Sequence, residues 1–197
     1  MFQPSYRKLI LGSTSPYRRQ LLERLHLAFE VVAPEVDEAP LANETPQQLA
    51  SRLAMSKARA VAAQFPACVV IGSDQVAELN GQALGKPGNH ARATAQLQRM
   101  RGRTVIFQTA VAVVCQDSHF EQLDLAQVKV KFRDLTDLEI EAYLQAETPY
   151  DCTGSAKSEG LGIALLESID NDDPSALVGL PLIRTCRMIR AAGVKVL

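Results

Sequence analysis

The sequence contains no tryptophan, and only 5% of its 197 residues are aromatic. It has three histidines and four cysteines, and all seven are widely scattered. This scatter excludes the close spacings of zinc sites and dithiol redox pairs, so the cysteines are expected to be buried free thiols in a reducing compartment. No apolar run approaches the roughly 20 residues that span a bilayer, so no membrane partner is expected.

A large charge imbalance is also missing, since the formal net charge is −1. Nucleic-acid-binding domains usually carry a basic patch, so a nucleic acid partner is not expected. The first residues, Met1-Phe2-Gln3-Pro4, lack the basic and apolar regions of a signal peptide, which predicts a cytoplasmic protein. The chain also has no Walker-type phosphate loop, no dinucleotide-binding glycine fingerprint and no Ser-His-Asp arrangement.

What the sequence does contain is an alternation of strand and helix signals, with no internal repeat or linker. Asn80-Gly81 is a strong signal for a two-residue hairpin turn. Strands are predicted over Arg7–Leu11, Phe29–Val32, Cys68–Leu79, Thr104–Cys115, Glu121–Phe132 and near Ile163–Glu167. Helices are predicted to begin near Pro16, Pro46, Asn89, Asp137 and Pro181. The pattern predicts one α/β domain over residues 1–197, with a mixed twisted sheet, flanking helices and two lobes around a central cleft.

The turn between the first strand and the first helix has the composition of an anion site. Ser15 can cap the helix and Pro16 can occupy its first position. Arg18 and Arg19 in the first helical turn oppose the helix dipole, which costs about 0.3–1 kcal/mol for each cation unless an anion compensates. Exposed backbone N–H groups, the hydroxyls of Ser13 and Ser15, and two guanidiniums would together cradle a phosphate. The alternative is a solvated pair of surface arginines.

Asp74 follows an apolar run that is typical of an interior strand. A carboxylate there is costly unless it has a partner or a metal. Counting outward from the Asn80-Gly81 turn sets Lys86 opposite Gln75, so Lys86 is expected beside Asp74 along the ladder and within reach of the same ligand. A structural salt bridge between Asp74 and Lys86 explains these two residues almost as well.

Lys57 falls inside the apolar stripe of the second predicted helix, between Leu53 and Val61. A lysine that points inward needs an anion, either a carboxylate of the protein or a phosphate of a ligand. The alternative is a lysine at the edge of the stripe whose ammonium extends to solvent. Arg52 and Arg59 on the same helix are expected to be solvated.

With these residues in view, the chain closely resembles the Maf family of nucleoside triphosphate pyrophosphatases. The resemblance is collinear and covers nearly the whole chain. It rests on Gly-Ser-Thr-Ser-Pro-Tyr-Arg-Arg (12–19), Pro-Glu-Val-Asp-Glu (34–38), Leu-Ala-Met-Ser-Lys-Ala (53–58), Ile-Gly-Ser-Asp-Gln (71–75), Gly-Lys-Pro (85–87) and Val-Gly-Leu-Pro-Leu (178–182). The resemblance implies a Maf/ITPase-like fold and a nucleotide substrate, with Asp74 as the proton acceptor.

Two segments, Gly-Ser-Asp-Gln (72–75) and Lys-Ser-Glu-Gly-Leu-Gly (157–162), are similar to the branch of that family that hydrolyses 7-methyl-GTP. This similarity implies that Tyr17, Gln75 and Glu159 select the substrate. The branch commonly has Trp where this chain has Tyr17. The dTTP/UTP branch typically has Ala-Asp-Thr at positions 73–75, Arg at 17 and Gln at 159. Methylation at N7 makes guanine cationic, so an aromatic face and a nearby carboxylate would favour it.

The residue types also suit hydrolysis of the α–β phosphoanhydride, in which several negative charges develop. Arg18, Arg19, Lys57 and Lys86 could stabilise them together with a divalent metal ion. Glu38 is the best further carboxylate for holding that ion beside Asp74, and Mg²⁺ or Mn²⁺ is expected because hard cations prefer oxygen ligands.

Two other functions stay open at this point. One is the same chemistry on dTTP, UTP or another modified nucleotide. The other is a nucleotide-binding regulator of cell division in which catalysis is incidental, although pure binding would not require a base such as Asp74. The substrate in either case is a small nucleotide, and the sequence allows for a homodimer.

Overall fold

The computed structural model describes residues 7–197 as a seven-stranded mixed sheet with five helices. The strands are β1 (Leu9–Gly12), β2 (Phe29–Val32), β3 (Val69–Leu79), β4 (Gln82–Leu84), β5 (Thr104–Cys115), β6 (Phe120–Phe132) and β7 (Leu166–Asp170). The helices are α1 (Pro16–Glu23), α2 (Pro46–Ala62), α3 (His90–Met100), α4 (Asp137–Glu147) and α5 (Leu182–Ala191). The predicted mixed α/β fold is confirmed. Met1–Pro4, on which the expectation about a signal peptide rests, lie outside the described residues.

The strand order is β2-β1-β3-β5-β6-β7, and β4 pairs with β3 outside this path. β1 is parallel to both β2 and β3, because α1 and α2 provide the crossovers that parallel neighbours require. The remaining pairs are antiparallel. The Asn80-Gly81 turn has positive φ at both residues, 53° and 79°, as expected of a type I′ hairpin.

The long strands β3, β5 and β6 pass through two separate parts of the hydrophobic core. In one part, α3 and α4 pack on the C-terminal end of β3 and the N-terminal end of β5. In the other, α2 covers one face of the sheet and α1 and α5 cover the opposite face. The predicted two lobes are therefore present, and the change from one to the other falls near Asp74 and Gln75 on β3.

One strand lies at a different position from the prediction. The expected strand near Ile163–Glu167 is a 3₁₀ turn over Leu161–Leu165, and β7 begins only at Leu166. The turn buries Gly162 and Leu165, and the Leu165 carbonyl accepts a hydrogen bond from the backbone N–H of Arg133. The apolar run is thus divided between a turn and an edge strand, which its composition alone does not indicate.

Two expectations about the chain as a whole can be compared with the described residues. No helix within residues 7–197 has the length and apolar character that crossing a membrane requires. All four cysteines are free, but only Cys115 is buried, and Cys68, Cys152 and Cys186 are half-buried.

Candidate functional site

A cleft of about 580 Å³ opens between the two lobes. Ten of the eleven residues that the sequence predicts for the site line it, and Arg19 is the one that does not. The ten are Ser13, Ser15, Tyr17, Arg18, Glu38, Lys57, Asp74, Gln75, Lys86 and Glu159.

Strand β3 carries three consecutive polar residues, Ser73, Asp74 and Gln75, of which Asp74 and Gln75 line the cleft. Successive side chains of a strand point to opposite faces of the sheet. Asp74 therefore faces α2, whereas Ser73 and Gln75 face the segment before α5. Ser73 Oγ lies 2.8 Å from the carbonyl oxygen of Ala110 and 3.0 Å from that of Gly179. The sheet alternation thus separates the carboxylate from the two neutral side chains.

The carboxylate of Asp74 is held by Lys57. The Lys57 Nζ lies 2.7 Å from Asp74 Oδ1 and 2.8 Å from Glu38 Oε1, and Lys57 is only 5% exposed. This contact requires α2 to approach β3 closely, and a Cβ atom at Gly72 would lie 2.3 Å from the backbone oxygen of Ala54. The predicted inward orientation of Lys57 is confirmed, and its anions in the protein are two carboxylates.

Glu38 is exposed to solvent, yet nearby cations influence its pKa. Burial by itself raises the pKa of a carboxyl, but the hydrogen bond and charge of Lys57, with the charges of Lys86 and Arg18, lower the pKa of Glu38 below its ordinary value. Glu38 therefore stays ionised at neutral pH and faces the cleft as a carboxylate.

The two neighbouring arginines of α1 have different surroundings. Arg18 is half-buried in the cleft, and its Nε donates a 2.9 Å hydrogen bond to the carbonyl oxygen of Gly179. Burial lowers the pKa of Arg18, and the charges of Asp74 and Glu38 act in the opposite direction. Arg19 is exposed and pairs with Glu23 at 2.9 Å on the solvent face of the helix. Arg18 thus occupies the predicted position, and the structure does not bring Arg19 into the cleft.

The serines of the turn before α1 are engaged as acceptors. Ser13 Oγ accepts from the backbone N–H of Ser15 at 3.1 Å, and Ser15 Oγ caps α1 by accepting from the N–H of Arg18 at 3.4 Å. These two N–H groups are therefore not available to a ligand, contrary to the expectation of an open backbone cradle. Each serine hydroxyl keeps its own proton, which it can donate to an anion in the cleft.

Lys86 lines the opposite wall of the cleft and is exposed. The predicted hairpin register is confirmed, because Ala77 pairs with Leu84, but the ladder ends there. Lys86 is therefore not paired with Gln75, and the expectation that it lies beside Asp74 along the ladder is wrong. Within residues 7–197 Lys86 has no ion-pair partner within 4.0 Å, and the salt-bridge alternative applies to Asp74 and Lys57 instead.

A cluster of acidic and aromatic groups lies at another part of the cleft. The Tyr17 hydroxyl donates to Asp151 Oδ2 at 3.3 Å, and the Cys152 thiol lies 3.7 Å from the same hydroxyl. Burial raises the pKa of Cys152 to about 11, and the charges of Asp151 and Glu159 contribute to this rise. Burial also raises the pKa of Tyr17, so its phenol stays neutral. This part of the cleft combines an aromatic ring with two carboxylates.

Gln75 is held in one orientation by its amide nitrogen. Gln75 Nε2 lies 3.0 Å from Thr109 Oγ1 and from the carbonyl oxygens of Ala176 and Leu177. The segment that carries these carbonyls is fixed to the start of α5 by Asp173, which is buried and accepts from the N–H of Arg184. Only the carbonyl oxygen of the Gln75 amide is thus left for a ligand.

Several residues of the site could not be anticipated from the sequence. Asp151 and Cys152 lie in the connection after α4, and no spacing or motif connects them with Tyr17. The backbone carbonyls of Ala176, Leu177 and Gly179 carry no side-chain signal at all. The segment 178–182 belongs to the resemblance, and that match was the only indication of its importance.

Within residues 7–197 no group of three or more His, Cys, Asp or Glu side chains is placed to hold a metal ion. Two carboxylates, Glu38 and Asp74, do converge on one cation, the ammonium of Lys57. Mg²⁺ in nucleotide sites is commonly held by one or two carboxylates together with phosphate oxygens. The donor set therefore fits a hard divalent ion that binds together with a triphosphate.

The comparisons with known proteins agree with this geometry. The family described as "Maf-like protein" matches residues 8–192. A "7-methyl-GTP pyrophosphatase" of Albidiferax ferrireducens is 79% identical over 197 residues, which are 100% of this chain and 99% of the relative. Proteins of the same name from Polaromonas sp. and Burkholderia pseudomallei are 75% and 60% identical, over 97% and 94% of this chain and 87% and 88% of the relatives.

A solved structure of a Vibrio cholerae protein aligns with a TM-score of 0.45 at 11% sequence identity, over 96% of this chain and 99% of that one. That likeness is too weak to support an argument. The family match and the relatives instead extend over almost every described residue. The ten predicted site residues that line the cleft all lie within the family match. The protein belongs to the Maf family.

Proposed function

We propose that this protein hydrolyses the α–β phosphoanhydride of 7-methyl-GTP and releases 7-methyl-GMP and pyrophosphate. The observation that carries the proposal is the division of charge within one cleft. Arg18, Lys57 and Lys86 lie where a polyphosphate would be neutralised, and Asp151 and Glu159 lie with Tyr17 where a cationic base would be favoured. The relatives that are 60–79% identical carry the same activity in their names.

Asp74 is the residue best placed to accept a proton. Its Oδ1 accepts from Lys57, and no donor within residues 7–197 lies in hydrogen-bond distance of its Oδ2. In the proposed step, the oxygen of a water molecule forms a bond to the α-phosphorus, and Asp74 takes the proton of that water. The bond between the α-phosphorus and the bridging oxygen breaks, and pyrophosphate leaves with the electron pair. General bases held in place contribute about 10²–10⁴-fold to such steps.

The cations of the cleft stabilise the charge that develops in this step. Lys57 faces the reacting region from α2, and Arg18 faces it from α1, with its guanidinium oriented by Gly179. Lys86 has no carboxylate partner within residues 7–197, so its full charge is available to the outgoing pyrophosphate. Fixed charges of this kind act without the reorganisation that water would need.

A divalent cation completes the proposal, and Glu38 and Asp74 are the residues that would hold it together with phosphate oxygens. Such an ion, when bound, neutralises phosphate charge and polarises the phosphorus–oxygen bond. Lys57 lies between the two carboxylates and keeps them together before the nucleotide arrives.

The test is a pyrophosphate-release assay over 7-methyl-GTP, GTP, dTTP and UTP with Mg²⁺ or Mn²⁺, in which the first products are identified. We expect 7-methyl-GMP and pyrophosphate, with the highest kcat/KM for 7-methyl-GTP. A preference for dTTP or UTP would show that the proposed substrate is wrong and that the proposed reaction is right. Nucleotide binding without release of pyrophosphate would support the regulatory alternative, and orthophosphate as a first product would contradict the proposed bond. The cytoplasmic location and the homodimer stay predictions from the sequence.

A further inference from the structure

The loop that carries Glu159 is folded around one carboxylate that the reaction does not use. Glu147, the last residue of α4, accepts from Lys157 Nζ at 2.8 Å with Oε1 and from the backbone N–H of Leu161 at 2.8 Å with Oε2. One turn earlier on α4, the Tyr143 hydroxyl accepts from the backbone N–H of Lys157 at 3.0 Å. The two ends of the segment 157–161 are therefore both attached to the same face of α4.

The carboxylate of Glu147 fills the inside of this loop. A Cβ atom at Gly160 would lie 2.7 Å from Glu147 Oε2, so the backbone of the loop contacts the carboxylate directly. Glu147 is 15% exposed in its side chain, whereas Glu159 at the tip of the loop is exposed and lines the cleft. Glu159 accepts within residues 7–197 only from its neighbour Ser158, at 3.5 Å, so its carboxylate is available to a ligand.

Lys157 lies two residues before that carboxylate in the same loop. The pKa of Lys157 is raised, first by its hydrogen bond to Glu147, and the charge of Glu159 adds to the rise. An ammonium two residues from Glu159 would pair with it if no other anion held the lysine. The ion pair with Glu147 holds the ammonium elsewhere, so Glu159 has no ion-pair partner of its own within residues 7–197.

We propose that Glu147 is a positioning residue for base selection, which holds Lys157 away from Glu159 and thereby reserves the Glu159 carboxylate for a cationic base. The inference rests on the proposed function, because the cationic base is the one in 7-methyl-GTP. Glu147 itself does not touch the base, and its effect is confined to the contrast between a cationic and a neutral base on the same triphosphate.

The experiment measures the ratio of kcat/KM for 7-methyl-GTP to that for GTP, in which the fraction of folded enzyme cancels. Glu147→Gln keeps an acceptor for the N–H of Leu161 but loses the ion pair with Lys157. We expect its ratio to fall by about three- to fivefold, the upper part of the range for a partly exposed charge pair. Glu147→Gln combined with Glu159→Gln should lower the ratio no further than Glu159→Gln alone, because Glu147 acts through Glu159.

A double variant tests whether Glu147 acts through the charge of Lys157. Adding Lys157→Gln to Glu147→Gln should restore the ratio, because the competing ammonium is gone, and a purely structural role for Glu147 would not be rescued in this way. Glu139→Gln is the matched control. At the other end of α4, Glu139 accepts hydrogen bonds from the backbone N–H of Thr136 and from the guanidinium of Arg133. Its ratio should equal that of the wild type.

Failure of this inference is distinct from failure of the proposed function. If the wild type hydrolyses 7-methyl-GTP and GTP equally well, or Glu147→Gln keeps the wild-type ratio, or Lys157→Gln does not rescue it, the positioning role is wrong and the pyrophosphatase stands. If the wild type hydrolyses neither nucleotide, the proposed function is wrong. The ratio of the dissociation constants of 7-methyl-GMP and GMP across the same variants then decides the positioning role without turnover.

Discussion

The buried ammonium of Lys57 lies 2.7 Å from Oδ1 of Asp74, which lines the cleft, and the other carboxylate oxygen has no donor in the described chain. One oxygen is thus neutralised by the protein while the other stays able to accept a proton. This asymmetry separates the structural role of the pair from its chemical role, and the two can be measured separately.

Replacing Asp74 with Asn tests the chemical role. The amide has nearly the same shape but cannot take the proton of the attacking water, so kcat should fall by at least about 10²-fold. Affinity for 7-methyl-GTP should be unchanged or tighter, because a negative charge facing the triphosphate is removed. The melting temperature should change little, since Lys57 keeps Glu38 as a partner. A variant that melts early and retains wild-type turnover would remove Asp74 from the mechanism.

Replacing Lys57 with Met tests the structural role. Removing one partner of a buried pair leaves an uncompensated charge, and the loss should be about 3 kcal/mol in the free energy of unfolding, the lower end of the usual range because Glu38 is solvated. Adding Asp74→Asn should recover part of this loss, because the unpaired carboxylate is then gone. Lys8→Met is the control, since its pair with Glu30 is exposed and should contribute little. Equal losses in both variants would contradict a buried pair.

The sequence was informative wherever the signal is local. The cap at Ser15, the hairpin at Asn80-Gly81 and the inward side of α2 each depend on a few neighbouring residues, and all three are present in the structure. Lys57 could be predicted to face inward because helical periodicity is a property of a single segment.

Contacts between distant segments could not be predicted in the same way. The predicted hairpin register aligned β3 with β4 correctly, but the ladder ends at the pair of Ala77 and Leu84, before it reaches Lys86. The partner of Asp74 is instead Lys57, which comes from α2. Arg52, expected in solvent, holds Glu44 and the carbonyl of Ala39 in the loop that carries Glu38. Such pairings join residues that no local pattern relates.

Lys86 and Arg19 form a matched pair for testing which cations bind the triphosphate. Lys86 faces the cleft without an ion-pair partner in the described residues, whereas Arg19 pairs with Glu23 outside it. Lys86→Met should raise KM for 7-methyl-GTP and lower kcat/KM by about tenfold, because a hydrogen bond to a charged group contributes about 1.5–3 kcal/mol and the lower end applies to an exposed lysine. Arg19→Met should change both constants by less than twofold. If Arg19→Met has the larger effect, the arrangement of the cleft cations is wrong.

Metal binding should depend on the nucleotide. Two carboxylates that already share Lys57 form a weak site alone, and phosphate oxygens supply the remaining ligands. Calorimetry should therefore show weak Mg²⁺ binding to the free protein and much tighter binding in the presence of a non-hydrolysable α,β-methylene analogue of 7-methyl-GTP. Glu38→Gln should weaken Mg²⁺ binding both to the free protein and to the complex with the analogue, because Glu38 is one of the two carboxylate ligands in each. Full activity after exhaustive removal of divalent ions would contradict a metal requirement.

Acid should destabilise the loop that contains Glu38, because it protonates Glu44, which holds that loop. Hydrogen bonds from Arg52 and from the N–H of Leu41 lower the pKa of Glu44 to about 2, against about 4.3 for a free glutamate. Because the folded pKa is the lower one, the stabilisation is fully present above the unfolded pKa and is lost as the pH falls from about 4.3 towards 2. The melting temperature of the wild type should thus exceed that of Glu44→Gln at pH 7, and the difference should shrink steadily below about pH 4.3. Glu167→Gln, at an exposed position of β7, should follow the wild type at every pH. A difference between wild type and Glu44→Gln that is constant down to pH 2.5 would show that the Glu44 carboxylate does not stabilise the loop by its charge.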